Sequence, residues 1–118
     1  MSSQAELDAE RSLLGAVLAA GSLDVEAGFR TLDKIIETGL DEDDFYVASF
    51  GTLYAALVEL RGRGIPLDPV SVAYELEQGA EPDVVGRLQV LAHEITAITP
   101  AARWAEIVAQ AGRRRRAA

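Results

Sequence analysis

Apolar residues in this chain recur at intervals of three and four, and no run of β-branched residues alternates with polar ones at a period of two. A half-buried strand needs that alternation to present one face to a core, so the pattern leaves helices as the building material. Leu7, Leu14, Val17 and Leu18 mark a first helix over about Glu6 to Ala20, with Gly21 where a stop is expected. From Leu23 onward, Val25, Phe29, Leu32, Ile35 and Ile36 form the stripe of a second helix that Gly39 closes. Phe50, Leu53, Tyr54, Leu57 and Leu60 give the third and clearest amphipathic face, ending at the run Arg61-Gly62-Arg63-Gly64.

Pro66, which restricts itself and Ile65 before it, marks a short extended lead, after which Asp68 reads as an N-cap and Pro69 as the first residue of a fourth helix reaching about Gln78. Val84, Val85, Leu88, Leu91, Ile95 and Ile98 share one side of a fifth helix. Thr99 then caps a sixth, opened by Pro100. So short a join sets helices five and six side by side and antiparallel. The expected fold is all-α, a compact bundle of about six helices ending in an antiparallel helical hairpin. With 118 residues, of which 49% are apolar, the chain supports one core and no second domain. Residues 1–112 form that domain, and residues 113–118 are a basic tail.

The most conspicuous polar feature is Asp41-Glu42-Asp43-Asp44 followed by Phe45-Tyr46. A calcium loop needs oxygen ligands at alternate positions and glycine at the sixth, but counting from Asp41 the fifth and sixth positions are Phe45 and Tyr46. The acids read instead as the entrance to the third helix, where exposed N–H groups and the helix dipole favour negative charge. Phe45 and Tyr46 read as core anchors. A nucleotide-binding P-loop is excluded, because the single lysine, Lys34, precedes Ile35 rather than Ser or Thr. Gly62 and Gly64 follow a helix, not a strand, and no third glycine completes a dinucleotide fingerprint. His93 is the one histidine and reads as a surface residue. Ser12, Ser49 and Ser71 lack the glycines of a nucleophile elbow, and there is no cysteine. No catalytic, cofactor or metal site is expected, and the chain is not expected to be an enzyme.

The formal charge of −8 hides an asymmetry, because Arg113, Arg114, Arg115 and Arg116 hold four of the eleven basic residues; residues 1–112 carry the other seven against all nineteen acidic ones, a net −12. Such a body repels nucleic acid and favours protein partners, with the arginine run as its one footprint for phosphate. Four consecutive arginines lie about 100° apart around a helix, so packing is expected to stop near Gly112. No apolar run reaches the length of a membrane span, and a cytoplasmic location is the expectation.

Four segments in order carry a family resemblance. Ala9-Glu10-Arg11-Ser12-Leu13-Leu14-Gly15 resembles the opening of the N-terminal domain of bacterial replicative DNA helicases of the DnaB family. Asp44-Phe45-Tyr46 is similar to that family's Asp-Phe-Tyr, Arg63-Gly64-Ile65-Pro66-Leu67-Asp68-Pro69-Val70-Ser71 to its Arg-Gly-x-Pro segment, and Trp104-Ala105-Glu106-Ile107-Val108 to its Tyr-Ala-x-Ile-Val. The resemblance implies a helical collar domain that associates with neighbouring subunits and helps dock primase or loading proteins in DNA replication. Whether excised from a helicase or a stand-alone relative, with the initiating Met1 favouring the latter, the chain is expected to be a non-catalytic interaction domain.

Its association face is expected on helices five and six, at Leu91, Ile95, Ile98, Trp104, Ile107 and Val108. Self-association as a dimer or larger is expected, with primase, a helicase loader or helicase subunits as further partners. Nucleic acid would be bound only weakly through the arginines. The alternatives are a small nucleic-acid-binding protein that uses Arg113 to Arg116, and a primase-type helicase-binding domain.

Overall fold

The computed structural model describes residues 2–76, 84–95 and 97–118. In chain order these form α1 (Gln4–Leu23), α2 (Val25–Glu37), a 3-10 turn (Glu42–Asp44), α3 (Ala48–Gly62), α4 (Pro69–Leu76), α5 (Val84–His93) and α6 (Ala101–Ala117). No strand occurs among the described residues, and the all-α expectation of about six helices is met.

Helix α1 is the hub, packing against each of the other five. Its stretch from Leu13 to Gly21 contains no charged side chain, and every residue of it except Ala19 is buried. A helix that is apolar all round belongs in the middle of a bundle, which a single-stripe reading of Leu7, Leu14, Val17 and Leu18 understates. At its start Ser3 and Glu6 form a reciprocal capping box, Glu6 N donating to Ser3 Oγ at 3.2 Å and Ser3 N to Glu6 Oε1 at 2.8 Å. The helix does not stop at Gly21. It runs through to Leu23, and Gly21 is buried where α1 meets the chain at Leu67.

Asp24 caps α2, accepting from Ala27 N at 2.9 Å. Phe29, Leu32 and Ile35 enter the core, whereas Val25 and Ile36 are exposed. The expected stops after α2 and α3 hold: Gly39 and Gly64 take φ of +85° and +72°, which favour glycine. Arg61 of α3 reaches Asp33 of α2 through two 3.1 Å hydrogen bonds and lies over the Phe29 ring at 4.2 Å. The expected start of α4 is also observed, with Ser71 N donating to Asp68 Oδ2 at 3.1 Å. Its expected end near Gln78 lies outside the described residues.

The last two helices depart from expectation in three respects. Helix α5 ends at His93, so Ile95 and Ile98 lie in the connection rather than on the helix. Helix α6 begins at Ala101 after Pro100, with no side-chain cap, so Thr99 does not serve as one. The connection is therefore residues 94–100 instead of a two-residue join. Among the described residues, α5 packs on α1 and α4, while α6 packs on α1, α2 and the 3-10 turn. The all-round apolar surface of α1 offers each of them a better face than the other does. Arg11 ties the end of α5 to α1 through Glu94 at 2.9 and 3.0 Å.

Tyr54 of α3 donates to the Leu40 carbonyl at 3.1 Å and its ring lies 5.5 Å from that of Phe45. Burial, with the charges of Asp41 and Asp44 adding to it, pushes the Tyr54 hydroxyl up to about 12 from its ordinary 10. Because the folded value is the higher one, this contribution to stability is complete below pH 10 and is lost as pH rises toward 12. Urea unfolding at about pH 9 and about pH 11 checks it: stability falls between the two, and falls less in Tyr54→Phe.

Candidate interaction surface

Two regions concentrate groups that a partner could use. The first is an apolar recess of about 520 Å³ where α1, α4 and α5 converge, lined by Ala19, Gly21, Ser22, Pro69, Val70 and Ala92, with Asp68, Gln89 and His93 supplying polar edges. Its existence follows from the two glycines at the α1–α2 corner. A Cβ on Gly28 would lie 2.8 Å from Gly21 Cα, and a Cβ on Gly21 would lie 2.6 Å from the Leu67 backbone. That close approach draws the start of α4 down against α1 and leaves Val70 on the outside, 61% exposed.

A smaller recess of about 230 Å³ adjoins it through Ala19 and is lined by Leu23, Ile95, Ala97 and Ile98. Leu23, Tyr74 and Val90 on the same three helices are 73%, 67% and 55% exposed. Val70 and Tyr74 are one turn apart on the same face of α4. Large exposed apolar side chains grouped on adjoining elements make this region a candidate contact surface.

Of the expected association residues, Ile95 and Ile98 line the smaller recess. Leu91, Trp104 and Ile107 are half-buried against the core. Val108 is a correction: at 1% exposure it is consumed by the core and offers nothing to a partner. Leu23, Val70, Tyr74 and Val90, exposed in the structure, are not among the residues expected from the sequence. Periodicity identifies side chains able to face a core, but which of them a neighbouring helix fails to cover depends on the packing.

The second region is the acidic turn. Its carboxylates serve the turn itself: Asp41 Oδ2 accepts from Asp43 N and Asp44 Oδ2 from Asp41 N, both at 2.9 Å. The entrance to α3 is served by another residue. Val47, at the N-cap, provides no side-chain hydrogen bond, and Glu10 of α1 holds the chain just before the helix, accepting from Tyr46 N at 2.7 Å and Val47 N at 3.1 Å. Glu10 is 1% exposed. Reading the acids as the α3 entrance is thus corrected, since α3 begins only at Ala48. Phe45 is a core anchor as expected, but Tyr46 is exposed, with the Arg115 guanidinium 5.5 Å from its ring centre.

Packing does not end at Gly112, because α6 continues through the arginine run and lays it against this turn. Arg114 pairs with Glu6, and Arg115 donates to the Asp44 carbonyl and to Ser2 Oγ. Arg116 Nη2 lies 2.8 Å from Asp44 Oδ1, a buried oxygen with no aligned hydrogen bond, so the ion pair is what compensates its charge. Consecutive arginines spread around a helix, yet three of these four find oxygen atoms because the helix end lies against the turn.

The family model for the DnaB-like helicase N-terminal domain matches residues 2–110. Among solved structures, the chain is similar to the N-terminal domain of DnaB helicase from Mycobacterium tuberculosis, with 32% identity and a TM-score of 0.76 over 94% of this chain and 76% of that one. No curated protein matches the sequence.

Proposed function

Because the chain belongs to the DnaB-like helicase N-terminal domain family, we propose that it acts in DNA replication as a non-catalytic interaction domain, associating with further copies and docking a primase or a helicase loader. The observation that carries this reading is the apolar surface around the two recesses, whose linings include the exposed Leu23 and Val70. Ile95 and Ile98 extend it, and Trp104 and Ile107 of α6 add half-buried apolar area. Contact at such a surface gains most from large apolar groups seated in a recess and least from charges at its rim. An acidic body favours protein partners over nucleic acid, and the sequence contains no P-loop to couple to nucleotide hydrolysis. No helix among the described residues is long and apolar enough to cross a membrane, and the proposed setting is the cytoplasm.

Static light scattering over a dilution series tests self-association. The expected result is a mass above that of the monomer which falls on dilution. The variants Leu23→Asp and Val70→Asp, both at exposed positions, are expected to weaken association at least about tenfold while keeping the helical circular dichroism spectrum. Strictly monomeric behaviour at the highest soluble concentration would remove self-association, and calorimetric titration with a primase helicase-binding domain then decides the docking role.

A further inference from the structure

The acidic turn and the arginine run are not used by the association surface, and the fold brings them together from opposite ends of the sequence. Gly112 is the point of contact: a Cβ there would lie 2.5 Å from Asp44 Oδ1 and 2.6 Å from Asp44 Cα, so the last turn of α6 lies directly on the turn. Beyond it, Arg114 meets the carboxylate of Glu6, Arg115 meets the Asp44 carbonyl, Ser2 Oγ and the Tyr46 ring, and Arg116 meets Asp44 Oδ1 and the Asp43 carbonyl. Oxygens of the protein itself thus take the places around these guanidiniums that phosphate oxygens take in a nucleic-acid complex. Arg113 is exposed and has no such partner among the described residues.

We infer that Glu6 and the Glu42–Asp44 turn form an autoinhibitory dock for the arginine run, so that Arg114 to Arg116 are withheld from a nucleic-acid backbone until the last turn of α6 lifts away. At Arg114 and Arg116 the chemistry is a competition between a carboxylate and a phosphate for one cation, while Arg115 would exchange a carbonyl and a hydroxyl for phosphate oxygens. The free energy spent holding the closed state reduces the apparent affinity for the outside anion in proportion to the fraction open. The closed state is modest in strength at Arg114, whose side chain is 66% exposed and screened by solvent, and firmer at Arg116, which pairs with an Asp44 side chain only 2% exposed. A modest latch is one that a polyanion can open.

The test is fluorescence anisotropy with a labelled single-stranded oligonucleotide at low salt, using the whole chain. The double variant Glu6→Gln with Asp44→Asn is expected to bind about five- to tenfold more tightly than the parent. Both substitutions also remove negative charge, so the control is Glu37→Gln with Glu106→Gln, two exposed carboxylates off the dock. The control is expected to change affinity less than about twofold. Hydrogen exchange supplies a second readout: amides of residues 113–117 lose protection in the dock variant while those of α1 keep it. If Asp44→Asn disturbs the fold, Glu6→Gln alone, which frees only Arg114, is expected to tighten binding about twofold. Equal tightening by dock and control variants, no tightening by the dock variants, or undiminished protection of residues 113–117 would overturn the inference.

Discussion

Glu10→Ala is expected to destabilise the domain by about 3 kcal/mol, among the largest effects of any single substitution outside the apolar core. Glu10 is buried on α1, and its two carboxylate oxygens accept the backbone N–H groups of Tyr46 and Val47, 36 and 37 residues away. Those groups point toward α1 just ahead of α3, where the helix dipole favours negative charge and where Val47 has no side chain able to cap. Alanine removes both acceptors and leaves two donors facing a cavity. Losing a hydrogen bond to a charged group costs about 1.5–3 kcal/mol, and an orphaned buried donor costs about as much again unless water enters. Glu10→Gln keeps one carbonyl oxygen but turns an amino group toward the other donor, so a loss of about 1–2 kcal/mol is expected. Urea unfolding followed by circular dichroism measures both. If Ala and Gln variants both stay within about 0.5 kcal/mol of the parent, the assignment of Glu10 as the anchor of the chain entering α3 fails.

The second large effect has a sign that local propensity gets wrong. Alanine is a better helix residue than glycine by about 1 kcal/mol, so an interior glycine such as Gly21 would be expected to gain from the change. In this fold Gly21→Ala is expected to lose about 2 kcal/mol net, because overpacking costs about 1–3 kcal/mol or more and outweighs the gain. The added Cβ would meet the Leu67 carbonyl carbon and oxygen at 2.6 Å and Asp68 N at 3.0 Å, all backbone atoms that cannot swing aside. Gly28 presses on the same residue from α2, so the helix cannot retreat in that direction either. Gly62→Ala is the matched control. It lies at the end of α3 with nothing within 4 Å of its Cβ position, and a gain of up to about 1 kcal/mol is expected there. Thermal unfolding of the two variants should move in opposite directions. A stabilised Gly21→Ala would show that α1 does not approach the Leu67 backbone so closely.

The two substitutions mark where the sequence could be read and where it could not. The first helix was visible in its apolar spacing, but Gly21 read as a stop because glycine at a helix end and glycine at a crossing look alike in one dimension. Asp68 and Pro69 were read correctly as a helix start, since a cap and its helix are neighbours in the chain and their hydrogen bond is local. The acids at Asp41 to Asp44 were assigned to the wrong helix start by the same local logic. The true partner of α3 was Glu10, whose distance along the chain no capping rule covers. The residues expected to associate divided between surface and core. Ile95 and Ile98 line a recess, Val108 disappeared into the core, and Leu23 and Val70 came to the surface because no neighbouring helix covers them.

The order of residues alone determined that this chain is helical, where α4 starts and where α2 and α3 stop, and that residues 1–118 contain no P-loop motif. These are properties of side chains within a few positions of each other, governed by helical period, caps and motif spacing. Only the tertiary structure decided that α1 would be the hub, that Glu10 would hold the chain entering a distant helix, and that the arginine run would lie against the start of α1 and an acidic turn from the other end of the sequence. Each of these depends on which surfaces remain after the helices have covered one another, and that remainder is set by the whole packing at once.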